Sequence, residues 1–167
     1  QLELLEKLLQ EAAKTGQLEV MKWLHANGCP WDANTCESAA EGGHLKVLQW
    51  ARANGCPWGA RTCSGAAEGG HLDVLQWARA NGCLWDTWTC AFAAWKGHLE
   101  GLQWSRANGC PWNSRVHSHA NIRRPLELLN LARDNGCPQH SYANTRGDSS
   151  SLPTTTTQTP QHVTHNT

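Results

Sequence analysis

Three absences narrow the reading before any motif is considered. The 14 Lys and Arg are matched by 14 Asp and Glu, so no basic field points to a nucleic-acid partner. No apolar run approaches the roughly 20 residues of a membrane-spanning helix. The 8 cysteines include no close Cys-x-x-Cys pair, the commonest signature of a structural zinc site. An initiator Met is also missing. The chain opens at Gln1 inside a helical pattern, and so reads as a fragment or a processed product.

What is present is a tripeptide in strict register. Asn-Gly-Cys stands at Asn27-Gly28-Cys29, Asn54-Gly55-Cys56, Asn81-Gly82-Cys83, Asn108-Gly109-Cys110 and Asn135-Gly136-Cys137, each copy 27 residues after the last. A fixed period of this size is the signature of stacked supersecondary units. Cys36, Cys63 and Cys90 follow a Thr at a second fixed phase. Cysteines tied to a structural period read as small buried hydrophobes, and they favour a reducing compartment, cytoplasmic or nuclear, over a secreted disulfide framework. The compartment is otherwise unassigned.

Each unit reads as helix, tight turn, helix, short connector. In the second unit Thr35 is read as the N-cap, followed by Cys36 to Glu41, the turn Gly42-Gly43, and a second helix from Leu45 to Ala53. Asn54-Gly55 ends that helix, because Gly accepts the left-handed conformation, and Pro57 keeps it from resuming. In the first unit Leu2, Leu5, Leu9 and Ala12 or Ala13 share one helical face. The pairs Ala12-Ala13, Ala39-Ala40, Ala66-Ala67 and Ala93-Ala94 recur in register and allow close backbone approach. Val47, Leu48 and Ala51 form the inner face of the second helix, with Lys46, Gln49 and Arg52 on the wet side. Two tryptophan series, Trp23, Trp50, Trp77, Trp104 and Trp31, Trp58, Trp85, Trp112, are periodic and read as packing residues.

The fifth unit is degenerate. Val116-His117 replaces Thr-Cys, Asn121 the second Ala, Pro125 the histidine of the earlier turns, and Leu131 the helix Trp. Atypical end units are expected where a stack meets water. Residues 1–138 thus form one repeat domain. Residues 139–167, rich in Ser, Thr and Pro, read as a disordered tail.

The string from Gly70-His71-Leu72 to Asn81-Gly82-Cys83, with Thr62 and Ala66-Ala67, resembles ankyrin repeats, and the resemblance runs from Leu2 to about Pro138. This unit is shorter than the usual ankyrin repeat of about 33 residues, and Thr-Cys stands where Thr-Pro-Leu-His is usual. The closest match is to short, Trp- and Cys-rich ankyrin-like repeats with an Asn-Gly-Cys-Pro-Trp motif. The resemblance implies an all-α helix-turn-helix solenoid of five repeats, its β-hairpin fingers shortened to turns. It also implies partner recognition through the connector tips and the first-helix face. A leucine-rich repeat is the rival by length, but Val47 to Ala53 has helical periodicity and few β-branched residues.

Enzyme chemistry fits poorly. A thiol–imidazole pair such as Cys63 with His71 would recur along the chain, whereas catalysis needs one asymmetric pocket. His44, His71 and His98 read as residues that cap or orient the second helix. Arg146-Gly147-Asp148 is a three-residue match of the kind chance supplies. No metal, cofactor or catalytic residue is assigned.

The informative positions are those where the units disagree. Asn34, Arg61, Trp88 and Arg115 are equivalent, as are Ser38, Gly65, Phe92 and His119, and Glu41, Glu68, Trp95 and Ile122. In one unit this face becomes Trp88, Phe92 and Trp95, an i, i+4, i+7 stripe of the kind that anchors a protein partner. The expected function is a monomeric, non-enzymatic protein-interaction scaffold, with Trp88, Phe92, Trp95, Arg61, Arg115 and Asn34 as the binding residues. The alternatives are a Cys/His redox or metal-responsive module, and a spacer within a larger protein.

Overall fold

A computed structural model of the chain describes residues 1–123 and 126–136, which fold into ten helices and no strand. They are α1 Leu2–Lys14, α2 Leu18–Ala26, α3 Ala33–Glu41, α4 Leu45–Ala53, α5 Ala60–Gly69, α6 Leu72–Ala80, α7 Thr87–Lys96, α8 Leu99–Ala107, α9 Ser114–Arg123 and α10 Leu126–Asp134. Pro125, Cys137, Arg146-Gly147-Asp148 and the rest of the segment 139–167 lie outside the described residues.

The helices come in pairs joined by tight turns, giving a repeat-like all-helical architecture. Successive first helices touch one another, α1 on α3, α3 on α5, α5 on α7 and α7 on α9. The alanine pairs explain why they lie so close. Ala39, Ala40, Ala66, Ala93 and Ala94 are fully buried, and side chains of one carbon leave little between neighbouring backbones. The second helices contribute the larger core residues Met21, Leu24, Leu48, Val74, Leu75 and Leu102. Burial in α1 begins only at Leu9. Leu2 and Leu5, expected on the buried face, are 64% and 36% exposed, because α1 packs through its C-terminal half.

The N-caps differ from expectation. The cap of α3 is Asp32, whose carboxylate accepts the Asn34 N–H at 3.0 Å. Asp86 serves Trp88 in the same way, and Asn113 serves Arg115. Thr35, with Thr62 and Thr89, is instead a buried helical residue. For Thr35 and Thr89 a carboxylate three residues upstream satisfies the orphan donors first, so the helix starts earlier and the Thr turns inward, whereas α5 starts after Gly59 without a side-chain cap.

Asn-Gly-Cys forms the C-terminal cap. Asn54 Nδ2 donates to Trp50 O, Gly55 N–H to Arg52 O and Cys56 N–H to Ala51 O, with Gly55 at φ +84°. The paired bonds from Gly55 and Cys56 are a Schellman closure, which needs a residue that tolerates positive φ. The cysteine then does a second job. Cys56 Sγ–H donates to Asp32 O at 3.4 Å, closing the open end of the α3–α4 hairpin, and Cys83 and Cys110 repeat this on Gly59 O and Asp86 O. Cys56 also accepts from the Cys36 thiol, as Cys83 does from Cys63. These hydrogen bonds, with burial, push the Cys36 and Cys63 thiols far above their ordinary range. Thiolate is the reactive form, so Cys36 and Cys63, both fully buried, should react with a disulfide reagent at pH 8 only as fast as the protein unfolds. The same hydrogen bonds lower the accepting Cys56 and Cys83 thiols. Cys36 or Cys63 reacting within seconds in native protein would contradict this packing.

The histidines of the turns do not cap through their side chains. Each lies beneath the glycine of the preceding turn, His44 under Gly16, His71 under Gly43 and His98 under Gly70. His98 Nε2–H donates to Glu68 O at 3.0 Å, across 30 residues of chain. They orient one helix pair on the next.

The periodic tryptophans form an outer ladder. Connector and helix rings meet edge to face, Trp31 on Trp50, Trp58 on Trp77 and Trp85 on Trp104, with centroids 5.6 to 5.9 Å apart. Arg52, Arg79 and Arg106 lie over Trp58, Trp85 and Trp112. Arg52 is therefore a half-buried stacking residue rather than a wet one, since a guanidinium is weakly hydrated and lies flat on an indole. Trp23, at 64% exposed, is the outlying member of its series.

Candidate functional site

The exceptional side chains come from the exposed edges of α3, α5 and α7. Asp86 caps α7 and sets its phase, so Trp88, Phe92 and Trp95 follow one another along a single face. Trp88 and Phe92 stack with centroids 5.4 Å apart and planes 28° from parallel, and Trp95 lies 6.1 Å beyond Phe92. Trp88 and Trp95 remain 39% and 38% exposed. The polar residues at the equivalent positions of α3 and α5 make the contrast. Apart from the buried Gly65 these positions are half-buried or exposed, and of α3, α5 and α7 only α7 fills them with large apolar rings.

Beside this stripe lies a cavity of about 430 Å³, lined by Glu37, Arg61, Gly65, Glu68, Trp88 and Phe92, with Asp86 and Ser64 at its edge. Gly65 is central to its shape. A Cβ built there would lie 3.0 Å from Glu37 O, so α5 passes close under α3, and Gly65 leaves vacant the volume that Phe92 fills one unit later. The cavity is walled by aromatic rings on the α7 side and by carboxylates on the α3 and α5 side.

The two ionic contacts differ in closeness. Arg61 Nη1 stands 3.7 Å from Glu37 Oε2, with the Arg61 side chain 77% exposed. Lys96 Nζ lies 3.2 Å from Glu68 Oε1. Burial pushes the Glu37 carboxyl above its ordinary range, and the Arg61 guanidinium only partly opposes this. Two cations also lie against the stripe, Arg115 at 4.3 Å from the Trp88 ring centroid and Lys96 at 4.6 Å from that of Trp95.

Of the residues singled out from sequence, Arg61, Trp88 and Phe92 therefore line one cavity, with Trp95 and Arg115 adjoining it. Asn34 stands apart from it. Its side-chain amide donates to Asp32 Oδ2 at 2.7 Å, so it reinforces the cap of α3. His119 and Ile122 belong to α9, whose description does not extend to their side chains. Glu37, Glu68 and Gly65 carry as much of the site as the aromatics do. The available signal was Gly65 itself, since a glycine inside a helix is unfavourable without a reason of packing or access.

Among the described residues no three His, Cys, Asp or Glu side chains are placed to hold a metal ion, and no helix is long and apolar enough to cross a membrane. No family model and no curated protein matches the chain.

Proposed function

We propose that the chain is an ankyrin-like α-solenoid of five repeats, non-enzymatic, that binds a protein partner through the face made by its first helices. The observation that carries this reading is the Trp88–Phe92–Trp95 stripe, half exposed beside a cavity, on a face where the neighbouring units are polar. Aromatic side chains exposed at the rim of a concavity are the usual composition of a binding hot spot. The 27-residue period, the paired helices and the stacking of first helix on first helix support the repeat reading. The six-residue connectors such as 54–59 agree with fingers reduced to turns. The burial of all seven described cysteines favours a packing role over the redox or metal-responsive alternative.

The test uses ligands selected from a random peptide library on the immobilised wild-type protein. Trp88→Ala and Trp95→Ala should each keep the far-UV spectrum and melting temperature of the parent. Each should weaken the selected ligands by about 2 kcal/mol or more, roughly thirtyfold in Kd. If both variants unfold the protein, or both bind as the parent does, the proposal is wrong.

A further inference from the structure

The cavity beside the stripe has its own chemistry. Two carboxylates (Glu37, Glu68) and one guanidinium (Arg61) border it on the α3 and α5 side, and the opposite wall is the stacked pair Trp88–Phe92, with Asp86 at the start of α7. An apolar side chain alone would cover the rings and desolvate the carboxylates without compensation, which is unfavourable. An acidic side chain would meet like charge. A long cation with an apolar stem satisfies both walls at once. Its stem and flat head lie on the rings, and its donors reach the carboxylates.

The chain itself shows the same pairing elsewhere. Arg52, Arg79 and Arg106 each lie over an indole of the outer ladder. At the cavity itself Arg115 already lies over the Trp88 ring, so that an incoming cation shares this wall with it. Inside the cavity Glu37 is the under-served carboxylate. The Glu37–Arg61 approach is 3.7 Å, and Arg61 is mostly in solvent. Glu68 also pairs with Lys96 at 3.2 Å, a residue that does not itself line the cavity. Burial is the largest influence on the Glu37 carboxyl and pushes it up, with Arg61 opposing, and a further cation beside it would oppose it too.

We propose that this cavity is a receptor for an arginine side chain presented by a protein segment, with Trp88 and Phe92 as the stacking wall and Glu37 and Glu68 as the acceptors. The proposal rests on the interaction-scaffold reading and names the chemistry its partner must carry. Arginine fits better than lysine because its planar head stacks and forks at the same time. An apolar neighbour in the segment would extend along the stripe to Trp95.

The probes are three capped heptapeptides of sequence Gly-Ser-Leu-X-Leu-Ser-Gly, in which X is arginine, citrulline or glutamate. Citrulline keeps the shape of arginine and lacks its charge. Binding is followed in the indole N–H resonance of Trp88, assigned from a Trp88→Phe variant. The arginine peptide should shift this resonance saturably in the millimolar range, and citrulline should weaken it by about tenfold. The double variant E37Q/E68Q should bind the arginine peptide about tenfold less tightly and the citrulline peptide unchanged, with its melting temperature within a few degrees of the parent. Equal affinities for arginine and citrulline, a tighter glutamate peptide, or no Trp88 shift with millimolar arginine peptide would each overturn the assignment. Library peptides that need Trp88 yet carry no basic residue would overturn it while leaving the scaffold reading intact. If no selected peptide depends on Trp88 or Trp95, the scaffold reading falls as well.

Discussion

Gly70→Ala should lower stability by about 3 kcal/mol, whereas Gly55→Ala should cost only about 1 kcal/mol. Both glycines have positive φ, +76° and +84°, so both variants carry the strain of an L-residue in the left-handed region. They differ in what surrounds the new methyl group. At Gly55 nothing lies within 4 Å of it. At Gly70 it would fall 2.5 Å from the His98 ring, which must then move and give up its bond to Glu68 O. That adds a lost hydrogen bond and a disturbed junction between α5–α6 and α7–α8 to the backbone strain. At about 2–4 °C per kcal/mol for a chain of this size, the melting temperature should fall by roughly 10 °C. Combining Gly70→Ala with His98→Ala should cost less than the two single changes together, because the first clash no longer exists. Equal losses at Gly55 and Gly70, read by thermal melting, would show that the histidine contact contributes nothing.

Leu75→Ala should cost about 2–5 kcal/mol. Leu75 is fully buried on α6, between Val74 and Ala78 of its own helix and the alanine-rich first helices. Small neighbours cannot swing in to fill the hole, so most of the cavity cost should persist. Leu84 is the internal control. It occupies the connector position held by Pro30, Pro57 and Pro111 in other units, and it is 70% exposed. Leu84→Ala should therefore stay within about 0.5 kcal/mol of the parent. Chemical denaturation of the two variants checks this, and comparable midpoints for both would mean that α6 is not the core element described.

Much of the architecture was legible because it rests on periodic local chemistry. The second helices Leu18–Ala26 and Leu45–Ala53 end where the sequence places their ends. Asn-Gly-Cys is a complete stop signal carried by three adjacent residues. The first helices were misread at their starts, because Asp32 and Thr35 are both good capping residues and sequence alone does not rank them. The outcome depends on which side chain the neighbouring helix buries, and that was Thr35. Arg52 was misassigned for a similar reason. Its partner, Trp58, lies in the connector after its own helix, outside the helical face on which amphipathicity is read.

The site divides in the same way. Departures from the repeat, Trp88, Phe92 and Trp95, were visible because a strict period makes exceptions easy to see. Glu37 and Gly65 are also exceptions, yet nothing in the sequence says that they face the same space. α3, α5 and α7 lie side by side, so residues up to 55 positions apart become neighbours around one cavity. By itself, then, the sequence determined the helices, their turns and the unusual unit, since each follows from the conformational preferences of adjacent residues. Only the tertiary structure decided which caps operate, which thiols pair, and which carboxylates stand opposite the aromatic stripe. Those are contacts between helices, and their energies depend on burial and on distances that no local pattern encodes.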